Sequence, residues 1–415
     1  MCYKQLVPSS ARWLVVALAL AGAPGCNREP DLVEEHLRRG DQALAEGRYS
    51  QALSAYGHAH ELTPSSPRVQ RARMWARVYL MADDPARTSP ESLGDIAYEA
   101  ELLLESEPAN KAKQAVCHTA LANVLQRRGD REHAREKLDL AIATEPQSAI
   151  AHAALGAFLL ERRETADSAK TSFEKAQALD PGQVRALVGL GQLRLAAGDP
   201  AGAAERFEAA LARRDDFAAC LGLGNARMSQ GRHAEAVSRL ERAVAMDPTS
   251  ADALSALGQA LLALGRVDDA ERALRAATVT RWDESTATAL GYALVRRKRP
   301  DEALGVFGQV LASNASAVPA LYGSGVASED LGRVDQAAVF YERVLALSPS
   351  GPQKELVTEL QKDARGRAAA LASAKASTAA SATSAPSAKA SASAPTGAVG
   401  PTGAFPPSSA PVRER

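Results

Sequence analysis

Glycine returns along this chain at a nearly fixed interval. It stands at Gly156, Gly191, Gly224, Gly258, Gly291 and Gly325, in steps of 35, 33, 34, 33 and 34 residues. A second series holds Ala134, Ala169, Ala203, Ala236, Ala270, Ala303 and Ala337, and four residues past each comes a large apolar residue: Leu138, Phe173, Phe207, Leu240, Leu274, Phe307 and Tyr341. The register opens early, with Gly40, Ala52, Tyr56, Ala59 and Pro64, and units close on Pro146, Pro181, Pro248 and Pro349. A chain of 415 residues would ordinarily divide into two or three domains. A unit of this period cannot bury its apolar face alone, so stacked units share one elongated core and remove the need for that division. Hydrophobic residues make up 46% of the chain and aromatics only 4%, so the apolar content is mostly Ala and Leu, which form helices and argue against a sandwich or barrel.

Each part of the unit has a physical reason. A spacing of four puts the small and the large residue of the second series on one helical face. Small residues let two helices approach, and the large one fills the space between units. Gly129, Gly198, Gly231, Gly265 and Gly332 fall where a first helix ends and a positive φ is wanted, and the closing prolines stop the second helix.

These residues resemble the tetratricopeptide repeat, a helix-turn-helix of 34 residues with the signature W-x-x-L-G-x-x-Y, then A-x-x-x-F, then A and P. The resemblance covers residues 33–349, about nine repeats, and implies an all-α, right-handed superhelical solenoid. The chain departs from the signature in lacking its Trp, in placing Leu or Arg where Tyr is usual, and in a poor second unit at 67–108, where Asp83 to Pro90 lengthens the turn. Past Pro349, residues 350–371 read as a capping helix with Leu356, Val357, Leu360 and Ala364 on one face. From 372 to 415 the composition falls to Ala, Ser, Pro, Thr and Gly, which predicts a disordered tail.

The N-terminus carries a targeting pattern. Lys4 and Arg12 precede an apolar stretch, Trp13 to Ala23, which is too short for the roughly 20 residues of a membrane span and suits the core of a signal peptide. It ends in Ala23-Pro24-Gly25-Cys26 before the chain turns polar at Asn27. This resembles the bacterial lipobox, although Ala23 replaces the usual Leu and Pro24 is uncommon there. The resemblance implies removal of residues 1–25, lipidation of Cys26, a linker over 26–32 and a lipid anchor whose several acyl chains hold stably. Asn27, rather than Asp, points to the outer membrane, with the repeats facing the periplasm. The alternatives are an ordinary secretory signal with an incidental Cys26, or an uncleaved helix. With Cys2 lost and Cys26 acylated, Cys117 and Cys220 remain, three units apart in first helices, and read as buried thiols rather than a bridge.

Chemistry-bearing motifs are few. Lys plus Arg and Asp plus Glu both total 49, which leaves no basic surplus of the kind nucleic-acid binding draws on. Gly189-Leu190-Gly191, Gly222-Leu223-Gly224 and Gly323-Ser324-Gly325 occupy one repeat position inside helices, with no preceding strand, so they read as packing sites rather than phosphate loops. His58 and His60, two apart, point to different sides of a helix and cannot clamp a metal together. No metal, cofactor, small-molecule substrate or catalytic residue is expected, and the chain reads as a non-enzyme.

In the resembled family the first helices line a concave face, and the residue after the small Gly or Ala projects into it. Here that residue is Asp41, Asn123, Ala157, Gln192, Asn225, Gln259, Tyr292 and Val326 in turn. The four carboxamides can each donate and accept, which suits the N–H and C=O groups of an extended peptide. They resemble the amide ladder of family members that bind peptides with little sequence preference; as plain polar residues on solvated helices they would need no such role. Four residues earlier stand Leu37, Thr119, Val188, Leu221, Ser255, Thr288 and Tyr322, and with no Lys among them the carboxylate clamp of chaperone-tail receptors is not supported. The candidate groove is therefore Asn123, Gln192, Asn225, Gln259 and Tyr292. The expected function is a lipid-anchored scaffold at a bacterial envelope that binds a protein or an extended segment. Alternatives are an assembly factor for a pilus or secretion machine, a cell-wall adaptor that recruits an enzyme, and a subunit that presents substrate to an envelope enzyme.

Overall fold

The computed structural model describes residues 28–347 and 354–383. The signal segment 1–25, Cys26 and the tail beyond 383 lie outside the described residues. Nineteen α-helices follow one another, with no strand among the described residues. They are α1 Arg28–Ala45, α2 Tyr49–Leu62, α3 Pro67–Asp83, α4 Leu93–Ser106, α5 Lys111–Arg127, α6 Arg131–Thr144, α7 Ala149–Leu160, α8 Ala166–Leu179, α9 Val184–Ala196 and α10 Pro200–Arg213. Then come α11 Phe217–Ser229, α12 His233–Met246, α13 Ala251–Ala263, α14 Val267–Thr280, α15 Glu284–Arg296, α16 Pro300–Ser313, α17 Val318–Asp330, α18 Val334–Ala346 and α19 Lys354–Thr383. Helices α1 to α18 form nine antiparallel pairs, repeats one to nine, and α19 closes the stack.

Local signals set the helix ends. Gly129, Gly198, Gly231, Gly265 and Gly332 have φ between 70° and 86° in the turns within repeats, as the sequence predicts, and Gly47 joins them at 71°. Repeat eight has Lys298 there instead, at φ 58°. Side chains of Asn110, Asp130, Ser148, Asp199, Asp216, Ser250 and Asp283 accept from the backbone N–H three residues on and cap the helices that follow.

Packing explains the two residue series. Phe173 is fully buried between α7 and α9: a Cβ added at Gly156 would lie 2.6 Å from its ring, and one at Gly189 2.2 Å. Phe207 is held in the same way by Gly191 and Gly222, and Phe307 by Gly291 and Gly323. Each ring thus sits between a glycine of its own repeat and one of the next, which is why the Gly-x-Gly pairs occur. The odd-numbered helices touch one another in succession and form the inner layer, while the even-numbered ones pack outside against the odd helices on either side. Cys117 and Cys220 are free and buried, and burial raises the Cys117 thiol to about 12, so it stays protonated.

Three boundaries differ from the sequence expectation. Residues 28–32, expected as linker, already belong to α1; Pro30 stands in its first turn, where no intrahelical N–H bond is lost. At the other end α19 buries Ala364 and packs Leu360, Ala368 and Leu371 against Tyr341 and Val344, as a cap would. It then continues to Thr383, through residues assigned to a disordered tail. Alanine needs no burial to favour a helix, and no proline intervenes before Pro386. The third difference is in repeat two, where Asp84 to Ser92 forms two short 3₁₀ turns, Pro85–Arg87 and Pro90–Ser92, and α3 reaches past α5 to touch α7. No described helix is long and apolar enough to cross a membrane.

Candidate functional site

The inner face is not one continuous groove. Its first helices should present one groove residue per repeat, but the long α3 of repeat two lies across the inner faces of α5 and α7 and uses part of that surface itself.

Asn123 shows the consequence. It is 2% exposed; its Nδ2 donates to the carbonyls of Met81 and Ala82 at 2.8 and 3.0 Å, and its Oδ1 accepts from the Arg185 guanidinium at 3.3 Å. The side chain expected to meet a partner is therefore spent within the molecule. Tyr292 is half-buried and also bonded within the molecule: its hydroxyl donates to the carbonyl of Pro319 at 2.7 Å, and its ring meets Phe307 edge-on at 5.5 Å, so it joins repeats eight and nine. Both were chosen by repeat position, which gives a side chain's direction and not what already stands in front of it. Gln192 is exposed on α9.

Asn225 and Gln259, one repeat apart on α11 and α13, do share a cavity. It has a volume of about 510 Å³, with Leu221, Met228 and Ala256 as apolar lining and Asp252, Arg281 and Asp283 at its polar side. Gln259 Nε2 donates to Ser255 Oγ at 3.2 Å, and Ser255 Oγ lies 2.8 Å from Thr286 Oγ1, which fixes the glutamine and leaves its carbonyl oxygen outside this chain of bonds. Arg281 and Asp252 pair across the edge. Beside them Trp282 is 47% exposed and Val279 88% exposed, large apolar side chains that the repeat does not bury. Adjacent packed helices are about 8–10 Å apart and an extended strand rises about 3.3 Å per residue, so carboxamides a repeat apart match every third residue of a bound segment.

A second cavity of about 510 Å³ was not anticipated. It lies at repeats one and two, lined by Leu37 and Leu44 of α1 and by Trp75 and Tyr79 of α3, with Lys113 stacked 4.5 Å over the Trp75 ring. Arg68, Arg71, Trp75 and Tyr79 are spaced three, four and four apart, which puts them on one face of a helix. That spacing was available in the sequence, but the irregular register of repeat two hid it. Among the described residues no group of three or more His, Cys, Asp or Glu could hold a metal ion.

Comparisons with known proteins agree with this architecture. Family models described as tetratricopeptide repeat match residues 119–184, 188–237 and 288–352, and a further one matches 227–281, together more than half of the chain. Among solved structures, the Cut9-Hcn1 hetero-tetramer of the APC/C is similar, with a TM-score of 0.51 at 16% identity over 80% of this chain and 76% of that one. YrrB, a repeat protein with an unusual peptide-binding site, is 21% identical, covering 44% of this chain and 95% of its own, with a TM-score of 0.38. The pilF protein of Pseudomonas aeruginosa is 20% identical over 51% of this chain and 96% of that one, with a TM-score of 0.43. A search of curated proteins gave no match. With the glycine period, the ring-and-glycine packing and the matched spans all in one register, this chain belongs to the tetratricopeptide repeat family.

Proposed function

We propose that the protein is a lipid-anchored scaffold of a bacterial cell envelope that holds an extended segment of a partner protein in the open groove of repeats six to eight. The observation behind this reading is the cavity shared by Asn225 and Gln259, where two carboxamides stand above an apolar lining and are not used up by the fold as Asn123 is. A carboxamide matches both groups of a peptide unit, and Leu221, Met228 and Ala256 give the apolar contact that a partner side chain would fill. Lipid anchorage rests on the sequence from Trp13 to Cys26.

Two experiments test the parts separately. A photo-crosslinking amino acid at Gln259 should give one discrete adduct with a partner, whereas the same group at Arg272, on the outer helix α14, should not; equal labelling from both positions would count against the groove. For the anchor, Cys26→Ser should abolish incorporation of labelled fatty acid and move the protein out of the membrane fraction. Unchanged detergent partitioning of that variant would remove the lipid anchor from the proposal.

A further inference from the structure

The extended turn of repeat two is held as a ligand is held. Residues 81–88, the end of α3 and the start of the turn, lie on side chains from repeats three and five, Arg214 at the end of α10 included. Besides the two bonds from Asn123, Arg185 reaches the carbonyl of Ala82 at 3.3 Å, and Arg127 donates to the carbonyls of Pro85 and Thr88 at 3.0 and 2.7 Å. Asp83, 5% exposed, accepts from Gln183 Nε2 at 2.6 Å and pairs with Arg214; Asp84, 9% exposed, pairs with Arg87 of its own segment at 3.1 Å and lies 3.6 Å from the Arg214 guanidinium. Main-chain carbonyls on carboxamide and guanidinium donors, with acidic side chains on cations, are the contacts by which a groove takes an acidic peptide.

We propose that Asn123, Arg127, Gln183, Arg185 and Arg214 form a second binding surface, for an acidic helix-end and turn segment of a partner protein, and that residues 81–88, the end of α3 and the 3₁₀ turn after it, occupy it in cis. The occupied site is distinct from the open groove of repeats six to eight and does not depend on it.

The fit of the internal segment is incomplete. Arg214 faces Asp83, Asp84 and, at 3.9 Å, Asp216, yet its Nε is buried with no hydrogen-bond partner. A carboxylate that met Nε and an Nη together would form the bidentate pair that the internal segment lacks. Arg185 has no carboxylate within ion-pair distance among the described residues. Burial pushes its guanidinium down to about 10, against the pull of Asp83 and Asp84, so it is a desolvated cation short of countercharge. A cavity of about 880 Å³, lined in part by Tyr49, Tyr79 and Glu46, adjoins Asp83 and Arg214 and leaves room for an incoming chain. The tethered segment has the advantage of effective concentration, so a partner displaces it only by supplying better contacts.

The probe is a fluorescein-labelled peptide with the sequence of residues 80–90, titrated into the full chain and followed by anisotropy. Asp83→Asn/Asp84→Asn, which weakens the internal ligand, should bind the peptide at least tenfold more tightly than the wild type, and the gain should vanish for a peptide with both aspartates changed to Asn. Adding Arg214→Gln should also abolish the gain, because it removes the receiving cation. Hydrogen exchange over 81–92 should rise in both variants. Absence of a gain in a variant of wild-type helical content, or a gain that survives Arg214→Gln, would overturn the proposal. If the double variant loses helical content, Asp84→Asn alone carries the same comparison, since Asp83 then still holds Gln183.

Discussion

Phe207 and Gly222 show how single side chains are matched in this solenoid. Repeats that follow a phenylalanine carry glycine two residues before their signature glycine, at Gly189, Gly222 and Gly323; repeats that follow Leu138, Leu240 or Leu274 carry Ala154, Ala256 or Ala289 there. The ring comes so close that a Cβ at Gly222 would lie 2.4 Å from it, while a leucine leaves room for a methyl group. Gly222→Ala should therefore destabilise by about 1–3 kcal/mol through overpacking, offset in part by the better helix propensity of alanine. Phe207→Leu/Gly222→Ala should lose less than the two single changes combined, with a coupling on the order of 1 kcal/mol in urea unfolding; additive single effects would show that the ring does not select the glycine. Lys298 is the opposite case, a side chain at φ 58° where the turns of six other repeats have glycine. Its Nζ reaches only an exposed Asp330 at 3.5 Å, so Lys298→Gly should raise stability by about 1 kcal/mol, and a loss would mean that the side chain earns its place elsewhere. The turn glycines and the large core residues were legible in the sequence because their spacing is local. The pairing of ring with glycine was also there, across neighbouring repeats, and needed the contact itself to be recognised.

At the scale of elements, two devices hold the C-terminal repeats together. Glu271 of α14 is 4% exposed and receives bonds from Arg275 of its own helix and from Arg297 and Arg299 in the turn between α15 and α16, the turn built without glycine. Burial works to raise its pKa, but the hydrogen bonds of Arg275 and Arg297 and the charge of Arg299 prevail and hold it below the ordinary glutamate value of 4.5. A depressed acid contributes stability that is complete above its unfolded pKa and is lost as the pH falls through the folded one. Glu271→Gln should thus cost about 2 kcal/mol at neutral pH, and its gap to the wild type should close only below pH 4.5. A gap independent of pH would assign the loss to packing. The second device is α19, where Gln361 Nε2 donates to the carbonyl of Val344 at 2.9 Å and Arg367 bonds Glu329 and Asp363. Ending the chain at 353 should lower the melting temperature by several degrees and expose Val318 and Leu321, whereas ending it at 383 should leave the transition in place. The existence of the cap could be read from Leu360 and Ala364. Its length could not, because a polyalanine-like continuation has no apolar periodicity to mark where it stops.

For the whole molecule, the arrangement of repeats decides which part of the inner face faces outward. The period predicts about nine stacked units, and the described residues hold nine successive helix pairs with a closing helix. It does not predict that α3 crosses to α7 or that Asp83 meets Arg214, because contacts between residues two or more repeats apart leave no mark in a local pattern. Of the five groove residues the sequence offered, Asn123 and Tyr292 are used internally, Gln192 is exposed, and Asn225 and Gln259 share the open cavity. The central proposal is that this cavity takes an extended partner segment. Once crosslinking has supplied such a segment, its affinity should be measured for the wild type and for Asn225→Ala/Gln259→Ala, with Glu241→Ala/Arg272→Ala on the outer helices as control. Two lost hydrogen bonds of about 0.5–1.5 kcal/mol each correspond to roughly tens-fold weaker binding in the groove variant, with unchanged binding in the control and little change in stability. Equal affinity of the groove variant and the wild type would contradict the proposal and leave these two carboxamides as solvated surface.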